Sequence, residues 1–350
     1  MTPHISVVMP VRDGARWLGE AITSVQDQTL ADFELIIVDD GSADNSPHII
    51  EAGARSDPRI RAIRQERLGL VAALNRGVSE SRGHLIARLD ADDRAQPQRL
   101  QRQSEYLDRH SEIGLLGTWA EQIDEQGSAA GSLKPPTRPE ELASLLARTN
   151  PFVHSSIMVR AAIFPKIGLY RQAFEGAEDY DLWLRISEIA KIANVPECLV
   201  QYRVHRAGET NRSRVRQLFS ARLAQRAAHA RRAGKHDPTS HLAAAPNWHD
   251  ADSANSPIYG DIARLFRFLD SANSGNISGS NASDVDISAL SDSNIVLNHA
   301  ERRMAQLALL NMLKQGATLP NTTRVALLWH FVRLHPLRAA QLGYQALQKS

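Results

Sequence analysis

The chain has 350 residues, 43% of them hydrophobic and 23% charged, with a formal net charge of +2. That length accommodates two units, or one large domain with an appendage, and the composition is that of a soluble globular protein with no global field for nucleic acid. A single cysteine, Cys198, rules out an intrachain disulfide and argues against a cysteine-based zinc site.

The N-terminal "MTPHISVVMPV" has neither a basic n-region nor a small-residue cleavage site, so it reads as a first strand and not a signal peptide. "ISVVMPV" (5–11) is β-rich and closes at Pro10. Over 15–28, Leu18, Ala21, Ile22 and Val25 recur at i, i+3, i+4, i+7, one face of a helix. "FELIIVDDGS" is an apolar strand that runs into acids and a glycine, and "RIRAI" is a weaker strand. Residues 70–81 read as a helix, "HLIARL" as a strand and 97–110 as a helix with Pro97 at its start. Such alternation predicts an α/β fold, a mostly parallel sheet with helices on both faces.

Further on, "LLGTWAEQIDEQGSAAGS" predicts a hairpin around Gly127. "HSSIMVRAAIF" reads as strand then helix, "YDLWLRISEIA" as a helix, "CLVQYRVH" as a late strand and 212–234 as a helix. Residues 202–232 carry nine arginines and one acid, Glu209, either a solvated helix face or an attractor of diphosphates or anionic lipid. Composition shifts near 235, which divides the chain into an α/β unit, 1–235, and an accessory region, 236–350. Within the latter a flexible Ser/Asn-rich linker is expected over about 250–294, followed by helices near 295–314 and 322–347. No stretch approaches 18 uninterrupted apolar residues, so no membrane span is expected.

Ligands of open parallel sheets bind beyond the carboxyl ends of the strands. Three polar clusters fall there: "PVRDG" (10–14), "VDDGS" (38–42) and "LDADD" (89–93). Acids after strands often only cap turns or helices. Three together, Asp90, Asp92 and Asp93, raise one another's proton affinity unless a cation neutralises them, and their hard oxygens suit Mg²⁺ or Mn²⁺ beside a diphosphate. The glycine fingerprints G-x-G-x-x-G after the first strand and G-x-x-x-x-G-K-[ST] are both missing.

With those clusters in order, the stretches "SVVMPVRDGARWLGEAITSVQDQTLADFELIIVDDGSADNS", "GLVAALNRGVSESRGHLIARLDADDRAQPQRL" and "EGAEDYDLWLRI" resemble the family 2 glycosyltransferases of the GT-A fold, over roughly 4–206. The resemblance implies that Pro10, Val11 and Arg12 lie against a nucleotide base, that Asp40 bonds the base with Asp39 beside it, and that Asp90 and Asp92 form the D-x-D pair at the ribose and the metal-bound diphosphate. Asp93 adjoins that pair and shares with Asp92 the expected metal role. Asp179 matches the general base, with Glu178 beside it, and both acids also suit a helix N-terminus. His154 and His205 match positions near the diphosphate or acceptor, each alternatively a buried structural histidine.

The implied activity is an inverting, metal-dependent transfer of a sugar from a nucleotide-diphospho-sugar, UDP favoured, to a glycan or lipid-linked acceptor in bacterial surface polysaccharide assembly. The expected setting is cytoplasmic, at the inner membrane face, with no nucleic-acid partner. The alternative is a catalytically inactive nucleotide-sugar-binding or scaffold protein of the same fold.

Overall fold

Every residue of β1 (Ile5–Val11) and β2 (Phe33–Asp40) is buried, as expected of strands covered on both faces. The structure, a computed structural model, describes residues 2–205, 214–250, 259–273, 301–302 and 304–305. Between and after those strands come α1 (Ala15–Gln26), α2 (Ser46–Ser56), β3 (Ile60–Gln65), α3 (Leu70–Glu80) and β4 (Leu85–Arg88). The second half holds β5 (Arg94–Ala95), α4 (Arg99–Arg109), β6 (Ile113–Ile123), β7 (Ala129–Leu133), α5 (Pro139–Leu146) and β8 (Met158–Arg160). It continues through α6 (Phe164–Ile167), α7 (Glu178–Ile186), β9 (Lys191–Arg203), α8 (Arg214–Arg232) and α9 (Gly260–Asn273).

One sheet runs in the order β3-β2-β1-β4-β8-β6-β9-β5, with β7 paired to β6. β3, β2, β1 and β4 are mutually parallel, whereas β8 is antiparallel to both β4 and β6. The chain builds outward from β1 to β3 and then returns to the other side of β1 with β4. That reversal leaves a crevice beyond the carboxyl ends of β1 and β4, the place where such sheets bind ligands.

Pro10 sits in a central strand, where a missing N–H is normally excluded. Its position explains this. The Val8 carbonyl accepts from Leu89 N at 3.1 Å, so alternate residues Val8 and Pro10 face the β4 side, and β4 ends at Arg88. Pro10 therefore faces the crevice, and no ladder bond is lost.

Three local differences from the sequence expectation have physical reasons. α2 and α5, both begun by a proline in the first turn, are short amphipathic helices that the sequence pattern alone does not announce. β9 starts at Lys191, well before Cys198, because the register against β6 jumps from Val195 to Cys198 and so bulges Pro196 and Glu197 out of the ladder. Around β8 the chain makes single 3₁₀ turns, His154–Ser156 and Ala161–Ile163, and α6 is one turn long.

The linker expected over 250–294 is corrected at α9. Ile262, Leu265, Phe266 and Leu269 recur at helical spacing and are buried, and the Phe266 ring meets Phe219 of α8 at 5.4 Å. Helical residues also occur at 301–302 and 304–305, inside the expected 295–314 helix; the helix expected at 322–347 lies outside the described residues.

α8 packs on α7 through Leu223, Ala224, Ala227 and Ala228. Ion pairs staple the segment after α8 to the same place. Asp181, fully buried in α7, accepts from Arg171 and Arg185, while Asp237 bridges Arg171 at 2.9 Å and Arg231 at 2.7 Å. Removing Asp237 leaves two guanidinium groups facing each other without their shared anion. Asp237→Ala is expected to cost about 2 kcal/mol and to lower the melting temperature by about 5 °C in differential scanning calorimetry.

Candidate active site

Four loops meet at the carboxyl ends of the parallel strands, and side chains zip them together. Asp13, at a φ of +48°, donates its backbone N–H to Ser42 Oγ and accepts from Ala43 N at 2.8 Å through its carboxylate. Gly14 N donates to Ser46 Oγ, and a side chain at Gly14 would touch the Ala91 methyl at 3.5 Å, so the loop after β1 lies directly against the 90–93 loop. Gly41, at a φ of +69°, backs onto Arg67 N so closely that a Cβ would sit 2.9 Å away. The first, second and fourth strand ends thus share one surface.

At the β2 end the two acids differ. Asp40 is occupied: its carboxylate accepts from Gln65 Nε2 (2.7 Å), Leu68 N (2.8 Å) and Gly69 N (2.9 Å), which shapes the loop before α3. Asp39 accepts from Ser42 N through Oδ1, whereas its buried Oδ2 has no hydrogen-bond partner among the described residues and only Arg64 Nε at 3.6 Å. Pro10 and Val11 are buried beside these acids, and Arg12 is partly exposed, 3.8 Å from Asp13.

At the β4 end, ligand atoms of Asp90, Asp92 and Asp93 lie within 4.8 Å of one another. Their environments separate them. Asp90 is gripped at both oxygens by the buried Arg88 guanidinium, and Ser155 Oγ donates to it at 3.0 Å. Asp92 is one-third exposed and meets His205 Nε2 at 2.8 Å. Asp93 accepts from Arg203 N at 2.7 Å through Oδ1, and its buried Oδ2 has no hydrogen-bond partner among the described residues. Burial, then the charges of Asp92 and Asp90, push the Asp93 carboxyl well above the usual carboxylate range; burial raises Asp90 too, against the pull of Arg88. An unpartnered buried oxygen among like charges is what a hard cation would relieve, and the carboxylate oxygens of Asp92 and Asp93 fit Mg²⁺ or Mn²⁺.

Arg203 holds this loop in place, and no sequence motif singles it out. Its guanidinium, 1% exposed, donates to the Asp92 carbonyl (2.8 Å), the Asp124 and Glu125 carbonyls (3.0 and 3.3 Å) and Glu20 (2.7 Å). The Arg203 guanidinium lies over the Trp17 ring at 5.3 Å, and the same ring meets the His205 ring, tilted, at 4.5 Å. Arginine two residues before a histidine in "YRVH" is the only trace this hub leaves in the sequence.

The third group of acids opens α7. Asp179 accepts from Asn150 Nδ2 at 2.7 Å and from Tyr180 N at 2.6 Å. His154 Nδ1 stands 4.0 Å from Asp179 Oδ2. Burial raises Asp179, and burial followed by the Asp179 charge pushes Glu178 up to about 8. Glu178 therefore keeps its proton near neutrality. His154 directly precedes Ser155, the residue bound to Asp90, so one short turn joins the acid cluster of 90–93 to Asp179. Trp183 lies beneath, fully buried, edge-on to His154, Phe152 and Tyr170.

Comparison with known proteins decides the family. The glycosyl transferase family 2 profile matches residues 6–168. The chain is 34% identical over 209 residues to the O-antigen biosynthesis glycosyltransferase WbnJ of Escherichia coli, covering 57% of this chain and 80% of WbnJ. It is 35% identical over 224 residues to an uncharacterized glycosyltransferase of Methanocaldococcus jannaschii, covering 62% of this chain and 77% of that protein. The chain belongs to glycosyltransferase family 2.

The fold of this family 2 glycosyltransferase is GT-A. It superposes on Staphylococcus aureus TarS 1–349 in complex with UDP-GlcNAc with a TM-score of 0.59 at 14% identity, covering 97% of this chain and 92% of that one. For the mannosyltransferase PcManGT of Pyrobaculum calidifontis, in complex with GDP-Man and Mn²⁺, the TM-score is 0.51 at 16% identity, covering 97% and 88%. Arg203→Met in this glycosyltransferase removes the donors that hold the 92–93 backbone. It is expected to cost about 2 kcal/mol of stability, because Glu20 and three backbone carbonyls lose their donor, read as a lowered melting temperature in differential scanning calorimetry.

Proposed function

We propose that this glycosyltransferase moves a sugar from a nucleotide-diphospho-sugar to a hydroxyl of a glycan or lipid-linked acceptor with inversion at the anomeric carbon, and that Asp179 is the general base. The observation that carries this reading is the short bridge from the acid cluster to a separate, partly accessible carboxylate: Asp90 to Ser155, then His154 to Asp179 at 4.0 Å. One side can hold a leaving diphosphate and the other can take a proton.

Asp92 and Asp93 are the residues that would hold a divalent cation, with His205 hydrogen-bonded to Asp92, and the cation when bound supplies Lewis-acid stabilisation of the leaving group. The base and ribose fall to the loops after β1, β2 and β4: Pro10, Val11 and Arg12 form a wall, and Asp90 faces the ribose and diphosphate. The free oxygen of Asp39 is better suited than the occupied Asp40 to accept from a ring N–H. A base with such an N–H, as in UDP, dTDP or GDP, fits an acceptor carboxylate. His154, matched by resemblance to a position near the diphosphate or acceptor, stands 4.0 Å from Asp179.

Transfer in one in-line displacement requires the acceptor hydroxyl to lose its proton as the new bond forms. Asp179 takes that proton, and the diphosphate leaves with the electron pair of the old C1–O bond. The name of the Escherichia coli relative WbnJ, an O-antigen biosynthesis glycosyltransferase, supports surface polysaccharide assembly as the setting. No helix among the described residues is long and apolar enough to cross a membrane.

A screen of nucleotide sugars that follows nucleoside diphosphate release tests the reading; no release from any donor, with Mn²⁺ or Mg²⁺ present, would overturn it. Asp179→Asn is expected to lower kcat by about 10²–10⁴-fold while UDP binding persists. A base works only when ionised, and burial raises Asp179, so kcat/KM should rise with pH along an acid limb placed above that of an ordinary aspartate. Glu178 holds its proton more tightly folded than unfolded, so its contribution to stability falls as pH rises from about 4.5 towards 8. Thermal melts should accordingly show Glu178→Gln gaining stability over the parent at pH 8 relative to pH 4.5.

A further inference from the structure

The base Asp179 has a neighbour whose protonation pattern the structure constrains. His154 Nε2 and Tyr170 Oη are 3.1 Å apart, and neither atom has another hydrogen-bond partner among the described residues. Asn75 pins Tyr170 from α3 through two backbone bonds, accepting from Tyr170 N at 3.0 Å and donating to its carbonyl at 2.9 Å. The rings of His154 and Tyr170 both stand edge-on to the buried Trp183 indole, at 5.7 and 6.4 Å. The phenol cannot move away from the imidazole without breaking those contacts.

A neutral imidazole has one donor and one acceptor nitrogen, and the partner of each sets the tautomer. Burial and the nearby Arg88 guanidinium keep His154 neutral, and burial keeps the Tyr170 phenol protonated. Two considerations then agree. A phenol that gives its proton to Nε2 leaves the hydrogen on Nδ1. Nδ1 faces Asp179 Oδ2 at 4.0 Å, and the opposite tautomer would aim a bare lone pair at a carboxylate. The charged groups facing this imidazole are Arg88 and Asp179, with Tyr170 the phenol.

We infer that Tyr170 locks His154 in the Nδ1–H tautomer, and that this N–H binds the oxygen of the acceptor hydroxyl and delivers its proton to Asp179. The 4.0 Å separation is too long for a direct hydrogen bond and suits an inserted oxygen lying about 2.8 Å from both atoms. Both side chains keep some exposure, 13% for His154 and 17% for Asp179, so an acceptor can reach them. The hydroxyl then accepts from His154 and donates to Asp179, which aims its remaining lone pair. As that oxygen bonds to the sugar C1 and the C1–O(diphosphate) bond breaks, the hydroxyl proton passes to Asp179 Oδ2 and His154 stays neutral throughout. His154 is thus an acceptor-binding residue, and Tyr170 is a positioning residue that acts through it. The inference rests on the glycosyltransfer reading only for the identity of the inserted hydroxyl.

The test uses the full chain labelled with ¹⁵N-histidine. Long-range ¹H–¹⁵N correlation spectra, with the His154 signals assigned by their loss in His154→Asn, should show a neutral Nδ1–H ring from pH 6 to 8. In Tyr170→Phe the same ring should become a mixture of tautomers. An Nε2–H ring, or an imidazolium, in the parent protein overturns the inference, and that measurement needs no ligand and no variant beyond the assignment. UDP with Mn²⁺ then serves as the donor-site probe. Its affinity should be unchanged within twofold in Tyr170→Phe and His154→Asn; a tenfold loss would place His154 on the donor side and overturn the acceptor role. In the donor screen, His154→Asn, whose amide N–H replaces Nδ1–H, should retain about tenfold more kcat than His154→Gln, and equal losses would count against it. Absence of nucleoside diphosphate release from every donor in the screen would strike the glycosyltransfer reading alone, since the tautomer is read without it.

Discussion

The rest of the site depends on an ion pair at the end of β4, the buried Arg88 with the partly exposed Asp90. An isolated buried guanidinium or carboxylate is costly, and breaking one partner of such a pair strands the other. Here the pair does more than neutralise itself. Arg88 Nη1 also donates to Ser155 Oγ at 3.1 Å, and Ser155 accepts from Asp90 N at 3.1 Å and donates back to the carboxylate. The turn 154–156 is therefore fastened to the acid loop, and His154 is carried to Asp179 as a consequence. Arg99, also fully buried, donates to the Arg88 and Ile157 carbonyls, which seats the two strand ends on α4.

This arrangement sorts the three acids of 90–93 by role. Asp90 already has a cation within the fold, so it is the least available to a metal. Asp92 and Asp93 keep an imidazole neighbour and an unpartnered oxygen, respectively, on the side of the crevice. A D-x-D-D run thus need not mean three equivalent ligands, because the surrounding protein has taken one of them for itself.

The C-terminal segments give the arginine-rich stretch a second meaning. Arg231 is paired with Glu188 and Asp237, Arg222 with Glu301, and Arg216 donates to the Pro246 carbonyl and stacks on Trp248 at 4.3 Å. These charges fasten α8 and the segments after it to α7, the helix that presents Asp179. The chain just after residue 235 is consequently joined to α7 through Asp237, Arg171 and Asp181 rather than hung on a free tether.

Much of the catalytic half was legible in the residues themselves. Continuous apolar strands, helical spacing such as Leu18–Ala21–Ile22–Val25, and acids placed directly after strands are local patterns with local causes, and they located β1, β2, β4, α1, α3, α4 and the polar loops. Short helices that a proline starts, a strand interrupted by a bulge at Pro196, and a helix inside Ser/Asn-rich surroundings were not legible, since tertiary contacts stabilise them. The order of acids along the chain likewise determined which carboxylates were candidates. What only the folded chain decided is which oxygens are free: Asp40 is consumed by the loop at 68–69, Asp39 is not, Asp90 is matched by Arg88, and Asp93 is half open. That outcome depends on partners distant in sequence, Ser155, Arg203 and Asn150 among them, brought within hydrogen-bond range by sheet order, and hydrogen bonds of about 3 Å are set by coordinates that no spacing rule along the chain contains.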